Sequence, residues 1–424
     1  MVTELLHQVR VLNPVTGSDQ IGDVLIEAGA IQAIAPQIPV TEEMVVRSDR
    51  PGLVLAPGLV DLYSHSGEPG YESRETLASL SRAAITGGFT RLAILPDTQP
   101  ILDNAAKLDG VRHRSTLPHQ PQLHFWGAMT LKAEGQQMTE LAELAAAGVV
   151  GFTDGHPLQN WMLVRRVMEY AKPLGKPLAF WCCDRDLSSN GVVREGSESI
   201  RLGLPGSPAI AETIPLSALL ECVRTLGTPV HLMRISTARS VALIRAAKAE
   251  GLPITASTSW MHLLLDITAV HGYNPNLRLE PPLGSREDRH ALVQGLKDGT
   301  LDAIAIDHSP FTYEEKTVAF AEAPPGAIGL ELALPLLWQG LVATGDCTAL
   351  ELWRSLSTQP ARCLHQSPSS PAPGAIAELT LFDPAEVWTA SRQSLQSLSG
   401  NTPWLGKEIQ GKVLQTWTSP ISND

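Results

Sequence analysis

The sequence predicts an α/β protein, a (β/α)8 TIM-type barrel joined to a small β domain built from both ends of the chain. Eight apolar, strand-like runs recur through the centre of the chain, and segments with helical periodicity separate most of them. Shorter strand-like runs with turn residues occur at both termini, outside this alternation. An open doubly wound sheet is the alternative, but no glycine-rich phosphate turn follows the first strand, so the pattern favours the barrel.

The central strands are predicted from apolar runs that are short and strand-like. These runs are Leu53–Leu62, Thr90–Leu95, Gln122–Ala128, Val149–Thr153, Pro177–Cys183, Pro229–Ile235, Pro253–Thr258 and Asp302–Ile306. The helices predicted between them include Glu75–Thr86, Thr139–Ala147, Asn160–Leu174, Leu216–Leu226, Ala238–Glu250 and Ser285–Lys297. Strands that alternate with helices in this way are buried on both faces, as in a parallel barrel.

The two termini are predicted to form one small β domain together. Its strands are Leu5–Leu12, Ile21–Ala28, Ala30–Ala35, Ala377–Phe382 and Gly411–Thr418. A proline- and serine-rich link, Gln366–Gly374, precedes the C-terminal pair of strands. We therefore expect the small domain to comprise residues 1–52 and 366–424, and the barrel to comprise residues 53–365.

Composition and charge exclude several functional classes. The chain of 424 residues is 43% hydrophobic and 18% charged, which is typical of a protein with a sizeable core. Its net charge of −12 argues against a nucleic-acid partner, because such partners select basic surfaces. The same charge disfavours an anionic substrate unless local basic groups compensate it. The longest apolar block, Leu330–Ala343, is too short to cross a bilayer.

The cysteines and the N-terminal sequence predict a cytoplasmic protein. The five cysteines are odd in number and lack the spacing of a metal site, so we expect them to be reduced. The first residues show neither a basic segment nor an apolar segment of a signal peptide.

The first central strand ends in the stretch Pro57–His65, which contains several side chains that can ionise. Asp61, Tyr63 and His65 occupy alternate positions there, so a regular strand would place all three side chains on one face. Reactive side chains of a (β/α)8 barrel lie at the C-terminal ends of its strands. The corresponding residues after the other strands are Asp97, Thr130, Asp154, Trp181, Arg234, Thr258, Asp307 and His308.

Seven segments in the same order resemble the dihydroorotases of the cyclic amidohydrolase family. They are Pro57–Gly70, Glu75–Asn104, Ala147–Asp154, His231–Thr237, Asp302–Pro310, Glu322–Leu337 and Asn401–Gly406. The resemblance implies an amidohydrolase-type barrel that binds zinc and opens a cyclic amide. It also implies a set of histidines, a bridging carboxylated lysine or aspartate, and an aspartate on the last strand. Bound zinc lowers the pKa of its water to near neutrality, and the last-strand aspartate transfers the proton.

Three of the residues that the resemblance assigns to the zinc site are present. His65 corresponds to the second histidine of the first strand, and Asp154 corresponds to the bridging ligand of the branch that uses aspartate. Asp307 corresponds to the catalytic aspartate of the last strand.

Three histidine positions of the family carry other residues here. They are Tyr63 on the first strand, Trp181 on the fifth strand and Arg234 on the sixth, although the nearby His231 is kept. A fixed guanidinium charge repels a metal ion, and tryptophan offers only an N–H donor.

The positions that hold the substrate carboxylate in the family are also changed. An arginine, an asparagine and a histidine of the family correspond to Gly67, Asp97 and Phe311. A further asparagine corresponds to Glu280, and an arginine beyond it corresponds to Gly284. The changes at Gly67 and Asp97 remove a cation and add an anion, so they disfavour a carboxylate ligand.

Two arrangements of the retained residues remain open at this stage. His65, Asp154 and Asp307 could form one weak zinc site, to which Tyr63 could add a phenolate oxygen. Alternatively, these residues form hydrogen bonds around Arg234 without a metal, with an Asp154–Arg234 or an Asp307–Arg234 ion pair. We favour the second arrangement and therefore expect no zinc. Asp61 is as compatible with a structural role as with a functional one, and we expect His231 and His308 to be structural histidines.

Three functions follow as hypotheses. The first is a dihydroorotase homologue that has lost catalysis and serves pyrimidine biosynthesis as a non-catalytic partner, for example of aspartate carbamoyltransferase. The second is an atypical single-zinc cyclic amidohydrolase, and the third is a small-molecule sensor that uses the former substrate pocket. We also expect a homo-oligomer, without nucleic acid or membrane partners.

Overall fold

The computed structural model describes residues 3–41, 44–46, 50–115 and 120–418. The strands are β1 (Thr3–Asn13), β2 (Ser18–Glu27), β3 (Ala30–Ala35), β4 (Met44–Val46), β5 (Val54–Pro57), β6 (Leu59–Ser64), β7 (Phe89–Ile94), β8 (Gln122–Gly127), β9 (Gly151–Phe152), β10 (Ala179–Trp181), β11 (Val193–Arg194), β12 (Gly206–Ser207), β13 (Val230–Met233), β14 (Ile254–Ser259), β15 (Ala303–Ala305), β16 (Leu379–Thr389) and β17 (Glu408–Trp417). The helices are α1 (Leu77–Thr86), α2 (Ala105–Ser115), α3 (Leu141–Ala146), α4 (Trp161–Ala171), α5 (Arg185–Ser188), α6 (Ser197–Leu202), α7 (Ile210–Leu226), α8 (Ala238–Ala249), α9 (Trp260–Leu264), α10 (Arg286–Lys297), α11 (Tyr313–Lys316), α12 (Ala333–Leu337), α13 (Ala349–Trp353) and α14 (Gln359–Cys363).

Eight parallel strands form a closed barrel in the centre of the molecule. Strands β6 to β9 form one run, and β10, β13, β14 and β15 form the other. A parallel bridge between Phe152 and Leu178 joins β9 to the segment that leads into β10. On the other side, the backbone N–H of Asp307 donates to the carbonyl of Tyr63 at 3.1 Å, which joins the ends of β15 and β6. This closure confirms the predicted (β/α)8 barrel and excludes the open sheet.

The predicted first strand, Leu53–Leu62, is two strands in the structure. Strand β5 pairs with β1 and β16 of the terminal sheet, whereas β6 begins the barrel. The chain passes from one to the other at Gly58, where a Cβ atom would lie 2.3 Å from the side chain of Thr90. Only glycine allows this close approach, so one continuous apolar run serves two sheets.

The terminal sheet combines strands from both ends of the chain, as predicted. Its strand order is β17–β16–β5–β1–β2–β3, and β4 pairs with β1. Strands β1 to β3 form an antiparallel meander, and β16 and β17 form an antiparallel pair that joins it through β5. The division of the chain at residues 52 and 366 stays a prediction, and residues 1, 2 and 419–424 lie outside the described part.

Several helices begin at residues whose side chains satisfy the first backbone N–H groups. Asn160 accepts from the N–H of Leu163 at the start of α4, and Thr237 accepts from the N–H of Ser240 at the start of α8. These caps fix where each helix leaves its strand, which positions the strand-end residues of the barrel mouth.

The interior of the barrel is filled with side chains. Small residues pack beside large ones there, among them Ala93, Ala179, Trp126 and Leu62. The indole N–H of Trp126 donates to the carbonyl of Leu62 at 2.9 Å, which satisfies a buried donor. The barrel interior is therefore a packed core, and in this fold chemistry takes place at the mouth formed by the C-terminal strand ends. In the described part of the chain, no helix combines the length and apolar character that a bilayer crossing requires.

Candidate functional site

A cavity of about 240 Å³ lies at the mouth of the barrel. Five of the strand-end residues named from the sequence line it, together with aromatic residues from the loops above. These lining residues include His65, Gly67, Tyr71, Arg74, Asp97, His156, Trp181, Arg185, Arg234, Trp260, His262, Glu280, Asp307 and Phe311. The replacement of family histidines by larger residues has therefore left an open pocket.

The end of β6 departs from the regular alternation that the sequence suggested. The pairing with β7 shifts between Asp61 and Ser64, which is a bulge. Because of it, Tyr63 packs beside Leu62 in the interior cluster. The Asp61 carboxylate instead accepts hydrogen bonds from the Ser64 hydroxyl and, at 2.8 Å, from the N–H of Ile306. The predicted common face of Asp61, Tyr63 and His65 is therefore wrong, and Asp61 links β6 to the end of β15.

Tyr63 is completely buried, and its hydroxyl group is hydrogen-bonded. Its hydroxyl lies 3.0 Å from the hydroxyl of Ser257 and accepts from the backbone N–H of Arg234 at 3.1 Å. Burial and the nearby Asp307 carboxylate raise the pKa of the Tyr63 phenol above its usual value. A phenolate at this position would be an unfavourable buried anion, so Tyr63 does not fit the role of a metal ligand.

The guanidinium of Arg234 occupies the centre of the site and binds Asp307 through two hydrogen bonds. Its Nε donates to Asp307 Oδ2 at 2.8 Å, and its Nη2 donates to Asp307 Oδ1 at 2.7 Å. Burial acts to raise the pKa of Asp307, but the Arg234 charge holds it well below the usual value. Of the two ion pairs suggested from the sequence, the structure contains the Asp307–Arg234 pair.

Both members of this pair have backbone conformations that side-chain-bearing residues seldom adopt. Arg234 has φ of +56° and Asp307 has φ of +52°, in the left-handed region. Such a conformation costs roughly 1–3 kcal/mol per residue and persists where surrounding contacts over-determine it. The ion pair supplies such a contact for both residues.

His65 lies between two carboxylates. Its Nδ1 is 2.5 Å from Asp97 Oδ2, and its Nε2 is 3.5 Å from Asp307 Oδ1 and 3.2 Å from Arg234 Nη2. Burial acts to lower the pKa of His65, but the Asp97 and Asp307 carboxylates raise it to about 9. The two carboxylates therefore favour the imidazolium form of the ring. Asp97, at a position where the family binds the substrate, is held here by an internal ion pair.

Asp154 is separate from this network. It accepts from the backbone N–H of Thr130 at 2.9 Å and from the Thr130 hydroxyl at 2.6 Å. Burial raises the pKa of Asp154 to about 6, although the Thr130 bonds act to lower it. Arg234 donates to the neighbouring carbonyl of Gly155 at 3.2 Å and has no hydrogen bond to Asp154. His65 and Asp307 thus lie together, while Asp154 bonds elsewhere.

The retained residues do not fit a zinc ion. A histidine binds zinc through an unprotonated ring nitrogen, and neither nitrogen of His65 offers one. As an imidazolium His65 has no free lone pair, and as a neutral ring it would donate from Nδ1 to Asp97 and accept from Arg234 at Nε2. The Arg234 guanidinium adds a fixed positive charge at the same point. In the parts of the chain that the structure describes, no group of three or more His, Cys, Asp or Glu residues is arranged to hold a metal.

Trp181 contacts two arginines at the pocket wall. The guanidinium carbon of Arg234 lies 4.6 Å from the Trp181 ring centre, and that of Arg185 lies 4.8 Å from it. Arg185 is in turn paired with Glu280, with Nη2 donating to Oε2 at 3.2 Å. The negative charge at Glu280, noted from the sequence, is therefore neutralised within the protein.

The substrate-side position Gly67 is closed to any side chain. A Cβ atom there would lie 2.3 Å from the carbonyl oxygen of Glu75 and 2.4 Å from that of Tyr71. An arginine at this position, as in the family, would require the loop backbone to move. Backbone atoms of the loop thus occupy the space that the arginine side chain of the family would need.

Phe311 stands where the family has a histidine that contacts the substrate. Its ring packs against Arg74, whose guanidinium carbon is 4.9 Å from the ring centre. Arg74 also lies 4.4 Å from the Tyr71 ring centre and is paired with Glu315. An aromatic and arginine stack thus forms this side of the pocket.

The other two histidines singled out from the sequence are satisfied within the structure. His231 lies 2.8 Å from both the Thr255 hydroxyl and the Ser257 hydroxyl. His308 accepts at Nδ1 from the N–H of Gly329 at 3.2 Å, and its Nε2 faces Glu75 at 3.4 Å. Both have the structural surroundings that were expected.

Several lining residues were not named in the sequence analysis, among them Tyr71, His156, Trp260, His262 and the two arginines Arg74 and Arg185. Neither arginine ends a strand of the barrel, and both lie in loops or short helices above it. The only local signal was an arginine in each loop segment, which does not distinguish a pocket residue from a surface residue. Their partners, Glu315 and Glu280, are 241 and 95 residues away in the chain.

Comparison with known proteins agrees with this architecture. The model of the family described as "Dihydro-orotase-like" matches residues 52–240. A "Probable dihydroorotase-like protein" of Synechocystis sp. is 46% identical, over 99% of this chain and 100% of the relative. A "Dihydroorotase" of Syntrophus aciditrophicus is 38% identical, over 97% of both chains.

Solved structures show the same fold at low sequence identity. The L-hydantoinase (dihydropyrimidinase) from Arthrobacter aurescens has a TM-score of 0.85 at 18% identity, covering 99% of this chain and 98% of its own. The D-hydantoinase (dihydropyrimidinase) from Thermus sp. has a TM-score of 0.79 at 22% identity, covering 97% and 93%. These structures confirm the fold, and the relatives above confirm the resemblance read from the sequence: the chain belongs to the dihydroorotase-like cyclic amidohydrolase family.

Proposed function

We propose that this chain is a non-catalytic, dihydroorotase-like protein of the cytoplasm that acts in pyrimidine biosynthesis through a structural role. One observation carries the proposal. Arg234, at a position where the family resemblance implies a metal-binding histidine, is bonded to Asp307 at 2.7 and 2.8 Å. The residue that would transfer the proton is thereby held as an ion-paired carboxylate, and the position of the metal is replaced by a guanidinium.

The substrate side of the pocket supports the same conclusion. Gly67 leaves no space for an arginine, and Asp97 and Glu280 bring negative charge to positions that would face a substrate carboxylate. Both acidic residues are bonded to cations of the protein itself, His65 and Arg185. Dihydroorotate, a carboxylate, therefore lacks a complementary set of groups in this pocket.

The alternative, an atypical single-zinc cyclic amidohydrolase, is distinguished by metal content and activity together. We expect the purified protein to contain substoichiometric zinc, before and after incubation with zinc salts, and to open neither dihydroorotate nor an uncharged cyclic amide. Elemental analysis and a ring-opening assay on the same preparation measure this. One zinc per chain accompanied by ring opening would establish the alternative.

A histidine-restoring variant separates loss of metal from loss of the substrate site. The triple replacement Tyr63→His, Trp181→His and Arg234→His returns the family's ligand types. We expect no dihydroorotase activity from it, even where zinc binds, because Gly67 and Asp97 still lack carboxylate-binding groups. The elemental analysis of this variant reports metal binding independently of activity.

A structural role requires a partner, and we propose aspartate carbamoyltransferase. The support is indirect: the chain keeps the whole fold of a pathway enzyme while the residues for its chemistry are replaced. Mixing the chain with the transferase of the same organism should give a complex of larger mass in light scattering coupled to size-exclusion chromatography. Separate elution of the two proteins at physiological concentrations would remove this partner from the proposal.

A further inference from the structure

A second cavity of about 240 Å³ lies at the opposite end of the barrel from the mouth. It is bounded by the segments that lead into β10, β13 and β14 and by the end of α14. Its apolar lining includes Pro177, Leu178, Pro229, Leu252, Pro253 and Ile254. Three of these residues are prolines, which lack a backbone N–H group, so they offer no hydrogen-bond donor. This space, the basal cavity, is therefore walled mainly by apolar groups.

An arginine without a partner lies at the basal cavity. Arg362, near the end of α14, is exposed, and its guanidinium forms no hydrogen bond or ion pair with any residue that the structure describes. The three arginines that line the mouth, in contrast, are each paired with a carboxylate. No aspartate or glutamate in the described parts of the chain lines the basal cavity, although the chain has 44 acidic residues. The cavity therefore offers a positive charge that the protein itself does not neutralise.

A chain of hydrogen bonds runs through the barrel and ends at the polar part of the basal cavity. The Tyr63 hydroxyl accepts from the backbone N–H of Arg234 at 3.1 Å, so its own proton is directed to the Ser257 hydroxyl at 3.0 Å. That hydroxyl lies 2.8 Å from Nε2 of His231, and Nδ1 of His231 lies 2.8 Å from the Thr255 hydroxyl. His231 and Thr255 both line the basal cavity. The direction of these bonds determines whether Thr255 presents a donor or an acceptor there.

The bonds are directed so that the cavity receives a donor. Burial lowers the pKa of His231 to about 3, so the ring is neutral and has a single N–H group. With the proton on Nδ1, Ser257 donates to Nε2 and Nδ1 donates to Thr255. With the proton on Nε2, the Ser257 proton would have no acceptor among the described residues. The Thr255 hydroxyl is therefore left to donate. The Cys363 thiol beside it, whose pKa burial raises to about 12, is only a weak acceptor.

We propose that the basal cavity binds a small carboxylate with a branched or aromatic apolar body. The carboxylate meets the Arg362 guanidinium and the Thr255 hydroxyl, and the body packs on the prolines and Leu252. A bond between a guanidinium and a carboxylate is roughly twice as strong as one between neutral groups. A polar body would lose its hydrogen bonds to water against these walls. The volume suits a molecule of about ten non-hydrogen atoms.

This inference is independent of the proposed function, because the basal cavity and the mouth cavity share no lining residue. Binding at one end of the barrel can therefore fail while the account of the other end stands.

The test is isothermal titration calorimetry of the full chain with phenylacetate, phenylacetamide and acetate. Phenylacetamide has the shape of phenylacetate without its charge, and acetate has the charge without the apolar body. We expect phenylacetate to bind with a dissociation constant of about 1 mM or tighter. The other two compounds should bind at least about 10-fold more weakly, because each lacks one of the two required features.

Variants locate the bound molecule. Arg362→Met removes the charge from an exposed side chain and should weaken phenylacetate binding at least about 10-fold. Thr255→Val removes the donor at nearly constant volume and should weaken it about 3- to 10-fold. The matched control is Arg185→Met, which removes an arginine from the mouth and should leave the affinity unchanged. Circular dichroism should show that all three variants keep the wild-type fold.

Three results would overturn the proposal. The first is no binding of phenylacetate up to about 5 mM. The second is equal affinity for phenylacetate and phenylacetamide. The third is a loss of binding in Arg185→Met with none in Arg362→Met, which would place the molecule in the mouth cavity.

Discussion

Replacing Arg234 with methionine is expected to lower the free energy of unfolding by about 3–5 kcal/mol, because it leaves a buried carboxylate without its main partner. The Arg234 and Asp307 side chains are only 6% and 14% exposed, so water from the pocket replaces only part of the lost contacts. Methionine keeps most of the aliphatic volume and removes the charge and the donors. Urea unfolding at neutral pH measures the change.

The matched control is Arg185→Met. Arg185 also packs on Trp181 and also pairs with a carboxylate, Glu280, but its side chain is 39% exposed. An ion pair with this exposure contributes about 0–1 kcal/mol, so the control should be close to wild type. Equal losses in both variants would show that packing on Trp181, and not the buried charge, explains the Arg234 effect.

A double variant tests the same mechanism by removing both members of the ion pair. When Arg234→Met is combined with Asp307→Leu, no unpaired charge remains in the site. We expect this variant to be more stable than Arg234→Met alone, since removal of both partners avoids the cost of a lone buried ion. A double variant less stable than Arg234→Met would contradict the account of this ion pair.

The stability that His65 contributes is expected to disappear at high pH. The folded-state pKa of His65 is about 9, above the value near 6.5 in an unfolded chain, so the folded protein holds this proton more tightly. A raised histidine pKa stabilises the fold fully below about pH 6.5, and the contribution is lost as the pH rises through about 9. Between pH 7 and 10 the loss should be about 2–3 kcal/mol.

The measurement is urea unfolding at pH 7 and pH 10 for the wild type and His65→Gln. The wild type should lose about 2–3 kcal/mol more than the variant over this interval, because glutamine carries no titratable proton. The control is His231→Gln. Burial lowers the pKa of His231 to about 3, so this histidine stays neutral from pH 7 to 10 and its replacement should shift both values equally. An identical pH dependence in wild type and His65→Gln would show that His65 is a neutral ring bonded to Arg234.

Much of the fold could be predicted because its signals are local. The alternation of apolar runs with helical segments reports the barrel, and the turn-rich strands at both ends report the terminal sheet. The split of Leu53–Leu62 between two sheets was not visible, because β5 and β6 are equally apolar. It depends on the approach of Thr90 to Gly58, which is a contact between strands.

The chemical state of the site could be predicted only in part. The change of residue type at Tyr63, Trp181 and Arg234 is evident in the sequence, because these residues occupy strand-end positions. The bulge after Asp61 is not, since a one-residue irregularity leaves no mark in the periodicity. The backbone oxygens that leave no space for a side chain at position 67 are also not evident in the sequence, because a glycine alone does not specify the path of the loop around it.

From its residues alone, the chain is recognisable as a barrel of a known family in which several metal-binding positions carry other residues. Which carboxylate neutralises Arg234 is evident only in the folded chain. Asp154 and Asp307 were equal candidates from their strand-end positions, but Thr130 satisfies Asp154 with two hydrogen bonds across 24 residues of chain. Asp307 forms the ion pair with the Arg234 guanidinium instead. A buried charge needs a partner that is near in the fold and not already hydrogen-bonded to other groups, and neither condition can be read from positions in the sequence.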